Sequence, residues 1–231
     1  MRKSFIRHTG IAAPLLRNNM EMEYIAPLHP AMHQHGHGML PRQIESHLHP
    51  VTTETPYFST GAHAFEGIRY FPDGREDPEF ILNRLPYRNA SILIAGENFG
   101  IGSMQTFAVT RLLNCGFKSV IAQSFGPVFF EDSLAHGLLA VELDRNLIEG
   151  LANRVMQQPD IALTVDLERL VIERPDMLPI SFEMHPRLRN KLLLGLDDLD
   201  ENIKYSDEAD RFLERNRLQK PWIYGSENVN Q

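Results

Sequence analysis

Cysteine is almost missing from this chain: Cys115 is the single thiol in 231 residues. One thiol excludes an internal disulfide. It also excludes a resident iron–sulfur cluster, which several thiolates must hold. Long apolar runs are missing as well, and nothing approaches the ~18 residues of a membrane-spanning helix. Positive charge is in deficit, with 23 Lys and Arg against 30 Asp and Glu and a formal net charge of −7. No long basic run offsets this, so nucleic acid is not an expected partner. The opening MRKSFIRHTG is basic, but no apolar segment of the signal-peptide kind follows it. These absences together lead to an expectation of a cytoplasmic protein that binds neither membrane nor nucleic acid.

What is present reads as a globular α/β chain. Apolar residues make up 42% and charged residues 23%, which suits one domain over 1–231. Residues 28–60 are the exception. They hold four prolines and six histidines (His29, His33, His35, His37, His47 and His49) without a helical or strand period, and they read as a long His/Pro-rich loop. His33, His35 and His37 alternate, unlike the wider spacing of structural zinc sites, and no cysteine supports them. No metal site is expected in this chain.

Order is concentrated in 91–143. Ile92, Leu93, Ile94 and Ala95 form a short continuous apolar run, as in a strand buried on both faces. Helix 104–115, strand 118–122, a helix from Pro127 to Gly137 and strand 138–143 follow. This alternation implies parallel pairing with crossover helices. Beyond it, a helix is predicted over 146–158, stopped by Pro159. Residues 161–167 alternate as a half-buried strand, and a second strand near 170–172 pairs with it. Two further helices are predicted, over 185–194 and about 207–217.

The turn after the first of these strands carries the chemistry. Gly100 and Gly102 allow a tight turn and close approach to a ligand. Ser103 stands where a helix N-cap belongs, and a helix N-terminus offers free N–H groups to a carboxylate or phosphate. From the residues alone, Ser103 is either a cap or part of a ligand site. Gly100-x-Gly102 is not a dinucleotide fingerprint: Gln105 stands where the third glycine belongs, and no acid ends the next strand.

The order Glu97-Asn98-Phe99-Gly100-Ile101-Gly102-Ser103 resembles the Glu-Asn-Phe-Gly-Cys-Gly-Ser-Ser-Arg-Glu-His-Ala signature of the small subunit of 3-isopropylmalate dehydratase. That subunit is the swivelling β/β/α domain of the aconitase superfamily, with parallel core strands flanked by helices. Phe5-Ile6-Arg7-His8-Thr9-Gly10, Gly61-Ala62-His63-Ala64-Phe65, Phe80-Ile81-Leu82-Asn83, the run from Gly116 to Phe125, and Leu194-Gly195-Leu196-Asp197 extend the resemblance. It implies a hydro-lyase of leucine biosynthesis that shifts a hydroxyl between neighbouring carbons of a small hydroxy acid. The cluster-bearing large subunit is the implied partner and carries the 4Fe–4S cofactor; this chain carries none. Ser103 is implied as the general base, with Gly102, Met104, Gln105 and Glu23 around the substrate.

The departures are specific. The family's Ser-Arg after the first serine falls on Met104-Gln105, and its Asp-Thr-Asp falls on Glu21-Met22-Glu23. Glutamine offers two neutral donors where arginine offers a charged fork. Arg111, eight residues past Ser103, is about 12 Å further along the helix and cannot stand in for the missing arginine. Arg69, Arg84 and Arg88 could do so only if the fold brings one close. The departures leave two alternatives: a paralogous small subunit acting on another hydroxy acid, or a binding subunit that keeps the fold without turnover.

Overall fold

The computed structural model describes residues 4–26, 64–71, 73, 75–102, 105–175, 177–196 and 206–223. The expected loop at 28–60 and its histidines lie outside these residues. Among the described residues, seven strands form one sheet in the order β4-β3-β2-β1-β5-β6-β7. They are β1 (Arg7–Leu15), β2 (Ile92–Ala95), β3 (Ser119–Ala122), β4 (Leu139–Glu142), β5 (Ala162–Asp166), β6 (Val171–Arg174) and β7 (Met177–Ser181). The helices are α1 (Met22–Ile25), α2 (Glu66–Arg69), α3 (Gln105–Asn114), α4 (Pro127–His136), α5 (Arg145–Gln157), α6 (Pro186–Leu194) and α7 (Ser206–Gln219).

Strand β1 belongs to two neighbourhoods. Its second half, residues 12–15, runs parallel to β2, and β2, β3 and β4 continue in parallel. Its first half, residues 7–11, pairs antiparallel with β5, and β6 and β7 continue antiparallel. The parallel core agrees with the alternation in the sequence. Strand β7 and the short helices α1 and α2 were not anticipated. The four-residue helices are too short to show a period, and β7 holds Pro179, which sequence reading counts against a strand. As the sheet's edge strand, β7 tolerates a residue without an N–H.

Both faces of the parallel half are covered. Ala13, Leu93, Ala95, Val120 and Ala122 pack with α1 and α3, while Ala12, Ile92, Ile94, Ile121 and Val141 pack with α5. That is why Ile92 to Ala95 is an uninterrupted apolar run. In the antiparallel half Leu163, Val165, Ile172 and Ile180 join the α5 side. Between Leu163 and Val165, Thr164 turns to the other face and bonds Thr9, Oγ1 to Oγ1 at 2.7 Å.

Helix ends follow their local signals. Pro127 opens α4 and Gly137 closes it. Helix α3 ends with Phe117 N donating to Leu112 O and Gly116 N to Leu113 O, both at 3.0 Å, the paired bonds of a Schellman turn. The cap expected from Ser103 falls outside the described residues.

Candidate functional site at the ends of the parallel strands

Three connections leave the C-terminal ends of β1, β2 and β3 together and are tied to one another. Asn19 N donates to Glu97 O at 2.8 Å, and Gly100 N to Met20 O at 2.7 Å. Met22 N donates to Ile101 O at 2.8 Å. From the third connection, Phe99 N donates to Ser124 O at 3.0 Å, and Gly126 N to Phe99 O at 2.9 Å. Side chains add to this: Asn98 Nδ2 donates to Asn19 Oδ1 at 2.8 Å, and Ser124 Oγ accepts from Asn98 N at 2.8 Å. The carboxyl edge of parallel strands is where α/β sheets bind ligands.

The residues between β2 and α3 have a defined shape for physical reasons. Phe99 is fully buried and meets the Phe129 and Phe125 rings edge-on, with centroids 5.2 and 6.3 Å away. Gly100 has φ +76°, and a Cβ there would stand 2.3 Å from the Phe129 ring. Gly102 has φ +111°, and its missing Cβ leaves room for Glu23, whose Oε2 would otherwise be only 2.9 Å away.

Glu23 is thus brought against Gly102, just ahead of α3. Glu21, two residues earlier, is exposed. After β1, Met20, Met22 and Ile25 are fully buried, and they anchor α1 against the core. That anchoring turns Glu23 inward. Its Oε2 is sealed from solvent and accepts no hydrogen bond among the described residues. A desolvated carboxylate oxygen without a donor is costly, so this position favours a donor brought close to the loop.

Ser103 and Met104 lie outside the described residues. Gln105 is the first residue of α3, and its side chain is likewise outside them. The arginines considered as substitutes are engaged elsewhere. Arg69 Nε bonds Asn83 Oδ1 at 2.7 Å, Arg84 pairs with Glu79 and Arg88 with Glu76. Arg111 sits in the last turn of α3, the far end from the loop. Sequence reading missed Arg17. It follows β1 and lays its guanidinium over the Tyr24 ring, 4.4 Å from the centroid, with no acidic partner among the described residues. Its only sequence signal was its place just after a strand.

Cys115 is half-buried at the end of α3, beside Arg69 and Arg111, and burial pushes its thiol up from the usual range. That suits a packed, unreactive thiol. No group of three or more His, Cys, Asp or Glu side chains able to hold a metal occurs among the described residues. Nor is any helix among them long and apolar enough to cross a membrane.

The family model described as the aconitase C-terminal domain matches residues 44–146, which hold the glycine loop. Relatives extend the match over nearly the whole chain. The 3-isopropylmalate dehydratase small subunit of Gluconacetobacter diazotrophicus is 37% identical over 93% of both chains. That of Rhodospirillum centenum is 35% identical over 94% of this chain and 97% of its own. A crystal structure of 3-isopropylmalate dehydratase from Methanocaldococcus jannaschii superposes with a TM-score of 0.55 at 20% identity, covering 89% of this chain and 99% of that one. The chain belongs to the 3-isopropylmalate dehydratase small-subunit family.

Proposed function

We propose that this chain is the small subunit of a hydro-lyase that interconverts 2- and 3-isopropylmalate by removing and re-adding water. It acts as one swivelling domain beside a large subunit in the cytoplasm. The observation that carries this reading is relatedness over 93% of both chains at 37% identity, not the motif alone.

The donor set excludes this chain as the holder of a 4Fe–4S cluster, since Cys115 is its only thiol. The cluster is therefore assigned to the partner. This chain's own part is to bind and to move a proton. Ser103 would take the proton beside a substrate carboxylate, with its oxyanion stabilised by N–H groups at the start of α3. Gly102 permits close approach, Met104 and Gln105 form the wall that selects the substrate, and Glu23 orients a donor over the loop. The neutral Gln105 favours a second reading, in which the substrate is a hydroxy acid with a less charged group at that wall.

The test is purification with the cognate large subunit and a spectrophotometric assay of the unsaturated intermediate. Ser103→Ala should lose turnover while the complex and its melting temperature persist, since a lost cap costs only about 1 kcal/mol. Wild-type kcat in Ser103→Ala would overturn the assignment of the base. Turnover of another hydroxy acid, with none of 3-isopropylmalate, would establish the second reading instead.

A further inference from the structure

Among the described residues, one cation stands at the ligand edge of the sheet without an acidic partner. The connections that leave β1, β2 and β3, residues 16–26, 96–102 and 123–126, hold Arg17 and no other Lys, Arg or His. Past β4, Arg145 is paired with Glu149. Three acids share these connections, Glu21, Glu23 and Glu97. The guanidinium of Arg17 lies instead against the Tyr24 ring, 4.4 Å from its centroid.

The fold sets that arrangement from two sides. Gly96 has no side chain, and a Cβ there would stand 2.9 Å from Arg17 O and 2.3 Å from Asn18 Oδ1. Asn18 Oδ1 accepts from Glu97 N at 2.9 Å, and Asn19 N donates to Glu97 O at 2.8 Å. The backbone of Arg17 is thus held against the residues that lead into the glycine loop. On the other side, Met22 and Ile25 are fully buried, and they fix α1 together with its Tyr24 ring. Tyr24 directly follows Glu23, the residue that meets Gly102. The guanidinium therefore lies over the neighbour of the side chain that touches the loop.

An aromatic ring engages the flat face of a guanidinium and leaves the N–H groups at its edge unused. Arg17 is exposed, so that edge is open to a ligand, and its fork of donors matches a carboxylate. A hydroxy-diacid carries two carboxylates, and the neutral Gln105 gives neither of them a charge. We propose that Arg17 is a substrate-binding residue, which holds one carboxylate of the hydroxy-diacid through its N–H edge while Tyr24 supports its face. On the hydro-lyase reading above, on which this assignment rests, Arg17 supplies the charge that the loop itself lacks.

The experiment uses the complex with the large subunit, assayed on 3-isopropylmalate and titrated calorimetrically with malonate, a plain dicarboxylate. Arg17→Gln removes a charge-assisted hydrogen bond and should raise KM and the malonate Kd by about 10- to 100-fold, with kcat within about threefold of wild type. Arg17→Lys keeps the charge without the fork and should fall between the two. Tyr24→Leu frees the guanidinium and should raise KM by about two- to fivefold. Arg145→Gln removes a positive charge at the same edge and should leave KM unchanged; a rise equal to that of Arg17→Gln would mean a field effect and overturn the assignment. A merely structural Arg17 would show a lower melting temperature in Arg17→Gln with KM and malonate binding as before. That result also overturns the proposal, as does a fall in kcat with KM unchanged. Failure of the wild-type complex to turn over 3-isopropylmalate would remove the hydro-lyase reading instead, and the malonate titration would still decide on Arg17. Binding weakened at least about tenfold in Arg17→Gln supports the site, and equal or absent binding in both proteins overturns it.

Discussion

The parallel and antiparallel halves of the sheet share β1 but are built to different tolerances. The parallel half is buried on both faces, and its connections interlock through backbone bonds and close contacts at Gly100 and Gly102. The antiparallel half packs on one face and is tied at its surface by ion pairs, Arg7 to Glu173 at 2.5 Å and Arg169 to the same carboxylate. A ligand edge needs atoms fixed to fractions of an ångström. A supporting sheet needs only enough buried area to stay in place. The first arrangement cannot absorb a methyl group, whereas the second can lose a charge with little effect.

The sharpest way to break this contrast is Gly100→Ala. The new Cβ meets the Phe129 ring at a positive φ, so both overpacking and backbone strain apply. The expected cost is about 3 kcal/mol or more, measured by denaturant unfolding. A loss under about 1 kcal/mol would show that the loop gives way. Next is Gln105→Arg in the complex. Restoring a charged fork should raise kcat/KM for 3-isopropylmalate by about 10- to 100-fold. A fall instead would mean that another cation already holds the carboxylate, with Arg17 the first to test.

Glu173→Gln tests the other half. Its partners Arg7 and Arg169 are largely exposed, so the expected loss is only about 0.5–1 kcal/mol. A much larger loss in urea unfolding would contradict the tolerance claimed for this half. Gly150 in α5 is open space, with nothing near a would-be Cβ. Gly150→Ala should therefore stabilise by about 0.5–1 kcal/mol, the reverse of Gly100→Ala. Destabilisation would mean that α5 is packed more closely than it looks.

The smallest effect is one of pH, at the strand the halves share. His8 Nε2 lies 2.7 Å from Ser91 Oγ, and burial, then the Lys118 charge, lower its pKa from 6.5. The native state favours neutral imidazole, while the unfolded chain takes up a proton near 6.5. This contribution is complete above that pH and is lost as pH falls through the lower native value. Melting temperature should decline from pH 7 to 5, and His8→Gln should flatten the slope. An unchanged slope would remove His8 from the account.

Much was legible in the chain itself because its signals are local. Ile92 to Ala95, Pro127 and Gly137 mark strand and helix ends through backbone physics that acts over a few residues. The order from Glu97 to Ser103 identified the family. Glu23 was named by that resemblance, but its burial was not visible, since Met20, Met22 and Ile25 turn it inward only when α1 packs. Arg17 gave no signal beyond its place after a strand. Its guanidinium meets the Tyr24 ring only because α1 packs beside the end of β1. Short-range sterics and hydrogen bonding wrote the elements and the family into the sequence. Which side chains are turned inward or brought over one another depends on long-range packing, and only the tertiary structure decided that.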